Sequence, residues 1–115
     1  MRHAIGGIRV VFVSEQSFRI QLLASIAVLL LGAFVQVQAY QWIVLILLIG
    51  SVLVLELINS IFERIVDAFK PRIHPIVKDI KDIMAGAVLI ASIVAAIVGI
   101  VIFYPYLQEL VSSVG

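Results

Sequence analysis

No cysteine occurs among the 115 residues, which excludes a disulfide framework and a thiolate metal site. Two histidines without cysteine also argue against structural zinc. Charge is scarce: charged residues make up 13% of the chain and balance to a net +1, so the basic residues give no case for a nucleic acid partner. The scarcity is concentrated. None of the 36 residues between Arg19 and Glu56 is charged, nor any of the 26 between Asp82 and Glu109. Neither a GxxxxGK[ST] loop nor a GxGxxG turn is present, so any ATP site here uses neither a P-loop nor a protein-kinase fold.

What fills the chain is apolar: 63% of the residues are hydrophobic and the mean hydropathy is +1.24. A helix needs roughly 20 apolar residues to cross about 30 Å of hydrocarbon. The first charge-free run is too long for one span and fits two; the second fits one. The expectation is an all-α membrane protein of one domain, 1–115, with spans at about 21–37, 42–57 and 84–107, the second extended into the cytoplasm to 69. Ile5, Ile8 and Phe12 recur at helical spacing among Arg2, Arg9 and Arg19, which predicts an amphipathic surface helix over about 2–18. A cleaved signal peptide fits poorly, because the apolar run begins only after about twenty residues. The polar residues at 36–41 read as a short turn with Tyr40 and Trp42 at headgroup level. Basic residues flank the first and second spans on one side, so the N-terminus is expected in the cytoplasm and the C-terminus outside. Pro71 and Pro75 are expected to stop the second helix and start a new one. His74 between them is either a turn histidine or a nucleotide-site residue. Ala87, Ala91, Ala95 and Gly99 fall on one stripe, a seam for close helix packing.

The polar residues of "ELINSIFERIVDAFK" (56–70) are not scattered. With Glu56 at zero, Asn59, Glu63 and Asp67 fall near about −60°, −20° and +20° on a helix, within one sector of roughly 80°. A solvated face would account for Asp67 and in part for Glu63. It accounts less well for Glu56 and Asn59, around which apolar residues continue and where an acid is costly. Two carboxylates near a basic loop suit Mg²⁺–phosphate chemistry, with Lys78 and Lys81 as phosphate partners and another carboxylate as a base for a hydroxyl. Glu15 lies on the Ile8/Phe12 side of the N-terminal helix, either as an inward acid or as a surface carboxylate near Arg19.

Three blocks in one order then resemble the small integral-membrane bacterial lipid kinases, diacylglycerol kinase and undecaprenol kinase. They are E-x-x-N-x-x-x-E-x-x-x-D at Glu56, Asn59, Glu63 and Asp67, "KDIMAGAVL" from Lys81, and "SEQSFR" with Glu15, Phe18 and Arg19. The resemblance covers nearly the whole chain, with His74 also in its usual place. It implies a homotrimer of three-span subunits whose active sites are shared between neighbours and which transfers phosphate from ATP to a membrane lipid alcohol in the bacterial cytoplasmic membrane. It implies that Glu56 is the base, that Glu15 and Glu63 hold Mg²⁺, and that Asn59 supports the site, with Arg19 and Asp67 beside it. It implies phosphate or nucleotide contacts for Lys81, Asp82, Gly7, Arg9 and His74. Gln21 departs from the carboxylate of the enteric enzymes, and Ile61 and Phe62 from the usual Ala-Ile. With the Gram-positive look of "FRIQLL", "HPIVK" and "AGAVL", these departures favour undecaprenol over diacylglycerol as the acceptor. The rival class is a non-catalytic oligomeric scaffold or an ion pathway lined by Glu56 and Glu63. It has no need of Glu15 or of the Lys81-Asp82 pair.

Overall fold

The computed structural model describes residues 1–68 and 75–114. Four helices follow in order: α1 (Arg2–Ser14), α2 (Gln16–Val35), α3 (Ala39–Ala68) and α4 (Pro75–Val114). The last three are long and apolar enough to cross a membrane. Lys70, Pro71, Arg72 and His74 lie outside the described residues, while Pro75 opens α4, where its missing N–H costs no helical bond.

The element bounds differ from the sequence reading in three places. The N-terminal helix ends at Ser14, not near residue 18. Glu15 is extended (φ −114°, ψ 110°) and forms an elbow between α1 and α2. Arg19 accounts for the break: its Nη1 donates to the carbonyls of Phe12 and Val13 at 2.7 and 2.8 Å, satisfying α1's last carbonyls where a cation also suits the helix dipole. The turn between α2 and α3 is tighter than expected, residues 36–38. It closes through a left-handed Gln36 (φ 58°) and a bond from the Val37 N–H to the Gly32 carbonyl at 3.1 Å. The last helix continues through Pro105 to Val114, past the 107 expected; a proline inside a helix that spans lipid is tolerated when neighbouring groups meet the freed carbonyl.

At the end of the bundle away from the elbow, Val37, Leu45, Ile102 and Phe103 form the packed cluster joining α2, α3 and α4. Tyr106 reinforces it by donating to Gln41 Oε1 at 2.5 Å. Closer to the middle, Ala95 and Gly99 line a cavity of about 270 Å³ between the three long helices, so this part of the small-residue stripe faces the chain's own α2 and α3. The polar constellation sits at the opposite end, where the elbow meets the second half of α3.

Candidate active site

Glu56 is the centre of the site. It is 6% exposed, a buried acid on a helix without another charge up to that point. Ser17, in the first turn of α2, donates its hydroxyl to Glu56 Oε2 at 3.0 Å. One turn further along α3, Ser60 is 2% exposed and donates to Glu15 Oε1 at 3.2 Å. Beside it, Asn59 Nδ2 donates to Glu63 Oε1 at 3.2 Å. Arg64 Nε donates to Ser60 Oγ at 3.4 Å, and Arg64 Nη2 to Ser14 Oγ at 2.8 Å. Arg19 and Arg64 therefore fasten the elbow from its two sides.

The structure thus gathers Glu15, Glu56, Asn59 and Glu63 around one stretch of α3, although Glu15 comes from the α1–α2 junction, far from the others in sequence. Ser60, Glu63 and Glu56 are within one or two turns of each other, so the elbow acid stands against the same face as both α3 acids. The Arg19 guanidinium bonds the last carbonyls of α1 and not these side chains; Arg19 is an elbow residue. Asp67 continues the stripe but lies eleven residues, about 16 Å, beyond Glu56 along the helix. There it pairs with Lys81 Nζ at 3.6 Å across to α4, with both side chains well exposed. Within one chain Lys81 is therefore at Asp67 and not at Glu56, and Asp82 is exposed beside it. Gly7 and Arg9 are exposed on α1. Arg9 borders an apolar groove of about 470 Å³ walled by Ile5, Ile8, Phe12, Phe18, Leu22, Leu53 and Leu57. Leu53 and Leu57 fall at about +60° and +100° from Glu56 on α3, so the groove opens on the adjoining side of the helix, and Glu56 itself is not among its walls.

The three departures read as favouring undecaprenol do not lie at Glu56. Gln21 does not face Glu56: its Nε2 donates to Ser92 Oγ on α4 at 3.0 Å, at the cavity between the long helices. Ile61 and Phe62 are 54% and 39% exposed and fall at about +140° and −120° from Glu56, on the other side of α3, so they do not shape the approach to it.

Among the described residues no group of three or more acidic or histidine side chains is gathered for a metal ion. Glu15 and Glu63 supply two carboxylates on one face. Two carboxylates are what Mg²⁺ takes from a protein when phosphate oxygens and waters complete its shell, so the donor set fits that ion and not a cage of protein ligands.

The family model for prokaryotic diacylglycerol kinase matches residues 2–103. The chain belongs to that family. An undecaprenol kinase of Bacillus subtilis is 37% identical over 105 residues, covering 91% of this chain and 85% of that protein. A diacylglycerol kinase of Synechocystis is 36% identical over 110 residues, 95% of this chain and 63% of the relative. The Escherichia coli diacylglycerol kinase is 29% identical over 100 residues, 87% and 82% of the two chains. The family is one of lipid kinases, and the chain is an enzyme of that kind, a phosphotransferase with an alcohol acceptor.

Three residues of the site escape a reading by acid spacing: Ser17, Ser60 and Arg64. Ser60 was within reach, since it falls near about +40° from Glu56, beside the acids. The parts of Ser17 and Arg64 depend on where the elbow lies.

Proposed function

We propose that the chain is an ATP-dependent kinase of a membrane lipid alcohol, with undecaprenol preferred over diacylglycerol. It acts as a homotrimer at the cytoplasmic face of the bacterial membrane, with the N-terminus inside, the C-terminus outside, and α1 as an amphipathic helix on the surface. The observation that carries the reading is the burial of Glu56, an acid 6% exposed, beside a groove able to take an apolar chain.

The reaction follows from these side chains. The acceptor chain lies in the groove, which brings its hydroxyl to Glu56. Glu56 accepts the hydroxyl proton as the alcohol oxygen attacks the γ-phosphorus of ATP in line. The bond from that phosphorus to the β–γ bridging oxygen breaks, ADP leaves, and the lipid phosphate is formed. Asn59 holds Glu63 and Ser60 holds Glu15, and these two acids would hold Mg²⁺. When bound, that ion supplies charge compensation for the transferring phosphoryl group. Lys81 and Asp82, with Gly7, Arg9 and His74, are assigned to phosphate and nucleotide. The position of Lys81 at Asp67, about 16 Å along α3 from Glu56, supports a site completed by a neighbouring subunit.

The preference for undecaprenol rests on the groove. Among the described residues that wall it, Arg9 is the one with a polar side chain, and a polyprenol has one hydroxyl and no ester carbonyls to satisfy. A site built to bond the glycerol esters would leave polar groups unpaired against a polyprenol and discriminate against it. The test uses purified chain in mixed micelles with labelled ATP and Mg²⁺, offered each lipid alone and then both in competition. A higher kcat/KM for undecaprenol is expected, and Glu56→Gln should abolish transfer because an amide accepts no proton while keeping the size of the side chain. A higher kcat/KM for diacylglycerol reverses the preference alone. Turnover of Glu56→Gln near that of the unmodified chain removes the base assignment. No transfer to either lipid removes the kinase reading.

A further inference from the structure

Serines inside helices often return their hydroxyl to the carbonyl one turn back. Ser14, Ser25 and Ser51 do so, to Val10, Gln21 and Leu47 at 2.8, 2.7 and 2.7 Å. Ser17 does not. It stands in the first turn of α2, just past the extended Glu15, so its own helix has no carbonyl one turn back for it to take. With no such partner in its own helix, the Ser17 hydroxyl crosses to α3 and donates to Glu56 Oε2 at 3.0 Å. Ser60 shows the mirror arrangement: it lies one turn beyond Glu56 and donates to Glu15 Oε1 at 3.2 Å, while Ser17 lies two residues beyond Glu15. Each acid is held by a serine that neighbours the other acid.

We propose that Ser17 is a positioning residue for phosphoryl transfer, pinning Oε2 of Glu56 so that the other carboxylate oxygen is presented to the acceptor hydroxyl. The proposal rests on the reading in which Glu56 takes the hydroxyl proton. A carboxylate with a free torsion spreads over several orientations, and a base displaced by about 1 Å loses on the order of a hundredfold in rate. A hydroxyl bond from the adjoining helix removes that freedom before the lipid arrives. It also ties the first turn of α2 to the acid, so the elbow set by Arg19 is read out in the orientation of Glu56.

The test compares Ser17→Thr with Ser17→Val in the full chain, in the lipid micelles already described. The two side chains have the same shape and differ in the hydroxyl. A bond to a charged group of this kind corresponds to about tenfold to a hundredfold in rate. Ser17→Val is expected to lose that much kcat, with KM for ATP changed by less than about twofold, and Ser17→Thr to stay within about threefold of the unmodified chain. Introduced into Glu56→Gln, Ser17→Val should lower the residual rate no further, since the group it orients is gone. Equal kcat for the Thr and Val variants overturns the proposal, as does a rise in KM for ATP at unchanged kcat. If Glu56→Gln is inactive while Thr and Val are alike, the proposal alone fails. If Glu56→Gln remains active, the base assignment fails with it.

Discussion

Ser60→Ala separates what holds the fold from what holds the site. The residue is 2% exposed, and the change removes one oxygen that donates to Glu15 at 3.2 Å and accepts from Arg64 at 3.4 Å. A bond to a fully buried carboxylate is worth about 1.5–3 kcal/mol. Glu15 is only half-buried, so water replaces part of the bond, and about 1 kcal/mol is the appropriate loss. Alanine returns about 0.5 kcal/mol through its better helix propensity. The Arg64 contact is at the outer limit of a hydrogen bond and contributes little, and Arg64 keeps its bond to Ser14 at 2.8 Å. Net destabilisation should therefore be about 0.5 kcal/mol, a shift of one or two degrees in Tm. The site should respond more. Glu15 without its anchor must be reordered each time Mg²⁺ binds, and about 1 kcal/mol of lost preorganisation raises the half-saturating Mg²⁺ concentration roughly fivefold. The assay is a Mg²⁺ titration of lipid phosphorylation at saturating ATP and lipid, alongside thermal unfolding in detergent. An unchanged Mg²⁺ dependence, or a large fall in Tm with unchanged Mg²⁺ dependence, would refute the reasoning, because Ser60 would then serve packing alone.

Two other changes probe the site and the bundle. Glu15→Gln and Glu63→Gln should each raise the Mg²⁺ requirement by about tenfold or more, since the ion loses a carboxylate from a set of two; a titration in which neither variant moves shows that they are not its ligands. Gly99→Ala should stabilise α4 by about 0.5–1 kcal/mol, because a Cβ there meets no atom within 4 Å and alanine is the better helix former. Loss of stability or of the oligomer in detergent unfolding would instead reveal a second helix packed into that space.

The three spans were legible because lipid leaves a helix no choice: 36 and 26 residues without charge can be satisfied only by chains that bond their own backbone. The acidic stripe was legible for the same reason, since its departure from apolar sequence is itself the signal. Angle did not give depth, however. Asp67 shares the sector of Glu56 yet lies about 16 Å away and meets Lys81. The elbow at Glu15 was not legible, because no glycine or proline marks it. It is made by Arg19 reaching back to two carbonyls, a contact that competes with the helical pattern of Ile5, Ile8 and Phe12 and prevails. Once the elbow is misplaced, the crossing of Ser17 to Glu56 is invisible, since it depends on Ser17 standing in the first turn of a new helix. Gln21, Ile61 and Phe62 failed as indicators of the acceptor for a simpler reason. Being near Glu56 in sequence, or in a matching block, does not fix which neighbour a side chain faces.

The length of α3 explains why the acids come in the order they do. Thirty residues span about 45 Å, whereas the hydrocarbon is about 30 Å thick, so about a third of the helix stands clear of it. With the apolar layer beginning at Ala39, beside Tyr40 and Trp42, it ends about twenty residues on, near Asn59. Glu56 is then just inside the boundary and Glu63 just outside, about 10 Å apart along one face. An acid inside the layer would be untenable alone. Here Ser17 supplies a donor, and on the proposed reading the groove nearby takes the apolar chain of the acceptor while Glu63 and the elbow acid face the water from which ATP would come. A single continuous helix thereby sets the distance between a lipid hydroxyl and a phosphate. The elbow, clamped by Arg19 and Arg64, fixes where Glu15 meets it. If the clamp were loosened, Glu15 and Ser17 would move together, and the metal side and the base side of the site would be lost by one motion and not two.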